Sequence, residues 1–163
     1  MAHTLLVLRH AKSDWAVPVS DRERPLAKRG VRQAPHTGRW IADNDLVPDV
    51  VIVSPATRAI RTWELVCGAW TAPPTEVRID EAAYTFGAGG LLGLVRSTPE
   101  SVARLALVGH NPAVEDLVAV LTDESVRMPT SALAVVDLDR WQGAGMRDGR
   151  LRYAGRPADE SGF

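Results

Sequence analysis

The chain has 163 residues, which suits one domain with one sizeable core. Apolar residues make up 45% of it and charged residues 24%, a balance that excludes a disordered or fibrous body. The formal net charge of −1, from 19 basic and 20 acidic residues, argues against a nucleic-acid or membrane-surface binder, though a basic pocket can sit inside a neutral average. Cys67 is the only cysteine, so no intrachain disulfide forms and a reducing compartment fits. Set in the apolar stretch 63–70 with no CxxC partner, it reads as a buried structural thiol. No apolar run has the length of a signal peptide core or a membrane span, so the expected location is cytoplasmic.

Residues 4–8, TLLVL, read as a short buried strand that ends abruptly in Arg9-His10. Residues 21–30 are polar, hold Pro25 and read as a loop. Residues 31–41 are helix-like, with Pro35 near the start. Within residues 47–53, DVVIV is a second strand. Ser54-Pro55 then supplies an N-cap and a first helical residue for a helix to about Trp70. A short strand is expected at 76–79 and a helix at 87–96. A strand at 105–108 ends at Gly109-His110, and Asn111-Pro112 caps and starts a helix to about Leu121. Residues 133–138 form a strand, and Asp148-Gly149 is a hairpin signal before a strand at 150–153. Strands alternating with helices predict an α/β sandwich with a mainly parallel sheet. Residues 1–155 read as one domain, and 156–163 as a polar, frayed tail.

Three segments repeat one design, in which a buried strand ends, a polar residue follows and a helix begins: LLVLRHAKS, VVIVSPATRA and LALVGHNPA. In open α/β sheets, ligands bind at the carboxyl ends of strands, where helix N-termini favour anions. Arg9, His10, Arg58 and His110 are therefore expected on one sheet edge. Two arginines and two histidines there suit a phosphoryl group, with arginine supplying fork-shaped donors that lysine lacks.

These motifs resemble the histidine phosphatase superfamily. Arg9-His10-Ala11, the SPxxR stretch 54–58 and Gly109-His110 carry the likeness. LRHAKSDW followed by RPLAKRG is most similar to the SixA-like phosphohistidine phosphatases. The resemblance spans roughly residues 4–138 and implies a three-layer α/β/α fold of the phosphoglycerate-mutase-like type. It implies that His10 is the nucleophile and becomes phosphohistidine, while Arg9, Arg58 and His110 bind the phosphoryl oxygens. No metal or other cofactor is implied. The nucleophilic nitrogen must be unprotonated, whereas His110 helps more if protonated. Glu81, where the family's glutamate often lies, is the first candidate for a general acid and Asp14 its rival; a labile phosphoramidate can dispense with either.

The chain departs from the mutases of this superfamily. Ala16 follows Trp15 where those commonly have an asparagine, and Ser13 is the candidate replacement as a phosphate binder. Residues 59–109 leave room for only a strand, a helix and the next strand, so the pocket is expected to lack a deep lid. An open pocket suits phosphohistidine displayed on a protein partner. The alternatives are a phosphatase of small phosphomonoesters or nucleotides and, in another class, a noncatalytic phosphate-binding module. Among the remaining residues, His3 reads as exposed and His36 as a helix-surface or partly buried residue. Arg24 sits on a loop that could reach substrate, Trp15 can line the pocket rim, and Trp40, Trp63, Trp70 and Trp141 read as core or partly buried.

Overall fold

The computed structural model describes residues 2–160. Six strands form one sheet: β1 (His3–Arg9), β2 (Val50–Val53), β3 (Glu76–Ile79), β4 (Arg104–Gly109), β5 (Leu133–Leu138) and β6 (Arg150–Gly155), in the order β3-β2-β4-β1-β5-β6. Pairs β3–β2, β2–β4 and β4–β1 are parallel, while β5 and β6 are antiparallel additions at one side. The helices are α1 (Lys28–Asp43), α2 (Thr57–Cys67), α3 (Ala88–Arg96), α4 (Ala113–Thr122) and the short α5 (Pro157–Glu160). Among the described residues, no helix is long and apolar enough to cross a membrane.

Alternation along β1 divides the interior into two cores, because successive strand side chains point to opposite faces. Leu5 and Val7 join Leu91, Leu94 and Leu117 from α3 and α4 on one face. Leu6 and Leu8 join Ala34 and Ile41 of α1 and Trp63 and Val66 of α2 on the other. The fold is thus the expected α/β/α sandwich. The two helices beside Leu6 approach closely: a Cβ at Gly38 would lie 2.1 Å from the Val66 carbonyl oxygen, so glycine is required there.

Several local expectations are corrected. α1 starts at Lys28, inside the segment read as a loop. α2 begins at Thr57 with Ala56 as N-cap, not at Pro55 with Ser54 as cap; Ser54 Oγ accepts the Ala56 N–H at 3.3 Å and meets His110 Nε2 at 2.7 Å. α4 begins at Ala113 and Asn111 does not cap it; its Nδ2 donates instead to Glu115 Oε2 and the Met128 carbonyl, each at 2.9 Å. Asp148-Gly149 does not form a two-residue hairpin, since β5 ends at Leu138 and β6 starts at Arg150. His3 is buried, stacked on Trp141 at 4.7 Å and paired with Glu100 at 3.3 Å. Cys67 is only half-buried on the last turn of α2. Of the segment read as a frayed tail, residues 157–160 form α5 with Pro157 and Ala158 buried, and 161–163 lie outside the described residues.

Candidate active site

Sheet register explains how the site is assembled. Arg9 lies opposite Gly109 on β4, and Val53 lies opposite Val108. The residues that follow these three strands, His10, Ser54 and His110, therefore emerge side by side at the carboxyl edge of the sheet. The rings of His10 and His110 are 5.2 Å apart, and Ser54 Oγ touches His110. Arg58, second residue of α2, reaches back over this edge and is 2% exposed. Its Nε donates to His10 Nε2 at 3.4 Å and one terminal nitrogen to His110 Nδ1 at 3.3 Å. Arg9, His10, Arg58 and His110 line a cavity of about 260 Å³.

Hydrogen bonds fix both histidine tautomers. A carbonyl can only accept, so His10 Nδ1–H donates to the Ala11 carbonyl at 2.8 Å and Nε2 is left unprotonated, its lone pair facing the Arg58 Nε–H. A guanidinium can only donate, so His110 Nδ1 accepts from Arg58 and its Nε2–H points to Ser54. Burial first, then the nearby His110, Arg58 and Arg9, push the His10 pKa down to about 3. Burial and then Arg58 push His110 down to about 4. Both rings are neutral near pH 7 in the free site. For His110 this differs from the protonated state expected to be most useful, and the causes are burial first and then the arginine at its Nδ1.

Ser13 and Arg24 also line the cavity. Both are buried, and Arg24 donates a hydrogen bond to Ser13 Oγ. The Arg24 guanidinium stacks over Trp15 at 3.6 Å from the ring centroid. Trp15 and Phe86 line the mouth with 72% and 53% of their surfaces exposed. The loop carrying Ser13 packs on α1, where a Cβ at Gly30 would meet the Lys12 carbonyl oxygen at 2.2 Å. That contact accounts for the glycine in RPLAKRG.

The two candidate acids are not brought into the cavity. Glu81 is exposed, and both its carboxylate oxygens accept from Arg22, which holds its carboxyl below the usual value. Asp14 Oδ1 accepts the Ala16 N–H at 2.9 Å within its own turn. The carboxylate that does line the cavity is Asp21, which the sequence reading passed over. It lies in a 3-10 turn (Asp21–Glu23) and accepts from Arg24, Arg58 and the Tyr84 hydroxyl. Tyr84, and then the two arginines, hold its carboxyl well below the usual carboxylate range. Its signal in the sequence was an acid three residues before Arg24 on a loop. Thr62 was also missed, although it lies four residues after Arg58 and therefore on the same helix face.

Comparison with known proteins identifies the family. The model of the histidine phosphatase superfamily (branch 1) matches residues 5–120. An uncharacterised protein of Mycobacterium tuberculosis is 34% identical over 140 residues, covering 79% of this chain and 85% of that protein. The phosphohistidine phosphatase SixA of Escherichia coli K12 is 30% identical over 139 residues, covering 83% of this chain and 85% of its own. A solved structure of the protein histidine phosphatase SixA complexed with tungstate superposes with a TM-score of 0.80 at 26% identity, covering 96% of this chain and 99% of that one. The chain belongs to branch 1 of the histidine phosphatase superfamily.

Proposed function

We propose that this phosphatase removes the phosphoryl group from phosphohistidine on a protein, through a covalent intermediate on His10. The observation that carries the reading is the His10 tautomer: Nδ1–H is spent on the Ala11 carbonyl, leaving Nε2 deprotonated at the cavity beside Arg58. A neutral imidazole with its lone pair held in place is the nucleophile that phosphoryl transfer needs.

In the first step the Nε2 lone pair forms a bond to phosphorus as the bond from phosphorus to the substrate's imidazole nitrogen breaks. That nitrogen leaves with the bonding pair. Arg9, Arg58 and His110 bind the equatorial oxygens, where the charge of the transition state is spread. In the second step water attacks the phosphorus on His10, releasing inorganic phosphate and restoring the neutral ring. The guanidinium groups supply the positive charge the reaction requires, so turnover proceeds without an added metal. The incoming dianion offsets the effect of Arg58 on His110 and favours protonation of that ring in the complex.

Two features favour a protein-borne phosphoramidate over an alkyl ester. Among the described residues that line the cavity, the only carboxylate is Asp21, and its hydrogen bonds keep it ionised, so it is a poor proton donor to an alkoxide. A phosphoramidate has less need of that proton. The mouth is open and flanked by Trp15 and Phe86, flat surfaces suited to an imidazole ring. The relative named a phosphohistidine phosphatase, similar over most of its length, supports the same substrate.

The test is turnover of a phosphohistidine-bearing protein against a panel of small phosphomonoesters, in chelator, with His10→Ala alongside. Fast loss of phosphohistidine, abolished by the substitution, is expected. Turnover of the esters alone would replace the substrate, and equal behaviour of wild type and His10→Ala would remove the mechanism.

A further inference from the structure

Arg58 carries five N–H donors, and in the free site most of them are already taken. Its Nε donates to His10, one terminal nitrogen to the Asp21 carbonyl at 2.6 Å, and the other to Asp21 Oδ2 at 3.1 Å and His110 at 3.3 Å. One acidic residue thus engages both terminal nitrogens of the guanidinium, with its main chain on one and its carboxylate on the other. Asp21 is itself restrained, since Oδ1 accepts from Arg24 at 2.9 Å and Oδ2 from the Tyr84 hydroxyl. Arg24 in turn holds Ser13. The result is a connected unit of Tyr84, Asp21, Arg24 and Arg58 on the wall of the cavity.

We propose that Asp21 is a positioning residue that competes with bound phosphate for Arg58 while fixing Arg58 and Arg24 for the transition state. The proposal rests on the reading of Arg58 as a phosphoryl ligand. A phosphate in its ground state must share or displace donors that Asp21 holds, and it meets a carboxylate of like charge. Both effects weaken ground-state binding. The same bonds hold the guanidinium rigid, so that its contacts to the equatorial oxygens need no reorganisation when the phosphoryl group moves towards His10. Binding withheld from the ground state and supplied in the transition state raises kcat, whereas equal binding of both does not. Asp21 is 44% exposed on a one-turn 3-10 segment, so its charge can be removed without disturbing the core.

The experiment titrates inorganic phosphate into wild type, Asp21→Asn and Tyr84→Phe by calorimetry, and measures kcat for each. Asp21→Asn removes the charge and nearly preserves the shape. Its Kd for phosphate is expected to fall about tenfold while kcat falls by a similar factor, a split that lost structural support would not give. Tyr84→Phe removes only the hydroxyl that restrains Asp21, and moves both quantities the same way by a smaller factor. It carries the test if Asp21→Asn does not fold. Weaker or unchanged phosphate binding, or tighter binding with kcat unchanged, overturns the proposal. Phosphate binding is read without any substrate, so a wrong substrate assignment leaves the titration intact. If Arg58→Lys leaves phosphate affinity at the wild-type value, the reading of Arg58 as a phosphoryl ligand is what fails.

Discussion

Thr62 fastens Ala11, the residue that follows His10: its Oγ1 accepts the Ala11 N–H at 2.9 Å and donates to the Arg58 carbonyl at 2.7 Å. One hydroxyl on α2 thereby ties the backbone beside the proposed nucleophile to the helix that carries Arg58. Ala11 is fully buried, so its N–H has no water to turn to. Thr62→Val keeps the side-chain shape and leaves that donor unpaired, at a cost of about 1–3 kcal/mol. A fall in Tm of several degrees is expected for a domain of this size. Turnover should fall as well, because the Ala11 carbonyl that holds His10 Nδ1 belongs to the same residue. Thermal unfolding and steady-state kinetics of the one variant check both effects. An unchanged Tm would mean that the backbone finds another acceptor.

The buried histidines make stability depend on pH. The folded-state pKa values of His10 and His110, about 3 and about 4, lie below the ordinary 6.5 of the unfolded chain. Between those values the unfolded state binds more protons, so stability rises with pH across this window. The contribution is fully present above about pH 6.5 and is lost as pH falls towards 4 and then 3. His10→Ala and His110→Ala should each flatten the slope of unfolding free energy against pH between 4 and 6.5. Denaturant unfolding across this range is the measurement. An equal slope in wild type and both variants would show that the rings are not held neutral.

Much of this site was legible because it follows strand ends. Runs such as TLLVL and LALV mark strands that stop where polarity returns, and sheet register then places His10 and His110 together. The β5 bounds, Leu133–Leu138, match the expected span for the same reason; those of β3, Glu76–Ile79, also match, although that edge strand is exposed along its length. What the sequence did not reveal came from contacts between distant loops. Asp21 looks like one acid in a solvated charge run until the fold brings Tyr84 and Arg58 against it. Ser54 looks like a plain N-cap until its hydroxyl is found against His110 as well as the Ala56 N–H, three residues before the helix starts. His3 looks like an exposed terminus until Glu100 and Trp141 enclose it. In each case a partner 50 or more residues away outweighs the local preference.

Glu81 tests the leaving-group argument. Its carboxylate faces Arg22, away from the lining of the cavity, and stays ionised there. Glu81→Gln should therefore leave phosphohistidine turnover within about threefold of wild type, well short of the 10²–10⁴-fold that a positioned general acid supplies. Parallel assays on phosphohistidine and on an alkyl phosphate decide the point. A hundredfold loss on either substrate would mean that Arg22 releases Glu81 to swing over the site when substrate binds.

Arg58→Lys asks whether the fork geometry matters as well as the charge. Arg58 is 2% exposed and reaches His10, His110 and Asp21 at once, from three nitrogens spread over a rigid plane. Lysine keeps one positive charge but places it at a single point, so it cannot span the same three partners. It also leaves the Asp21 carboxylate short of a donor and the His110 Nδ1 lone pair unfilled. Loss of one preoriented donor to a developing phosphoryl charge costs about 10²–10³-fold in kcat. That loss is expected even if the variant folds with a near-native Tm. The pKa of His110 should rise at the same time, because Arg58 is the largest nearby charge that lowers it and a lysine ammonium drawn to Asp21 sits farther from the ring. Imidazole resonances followed by NMR through the acid range would report the shift, and an unmoved His110 titration would mean that the lysine ammonium still faces the ring as the guanidinium does.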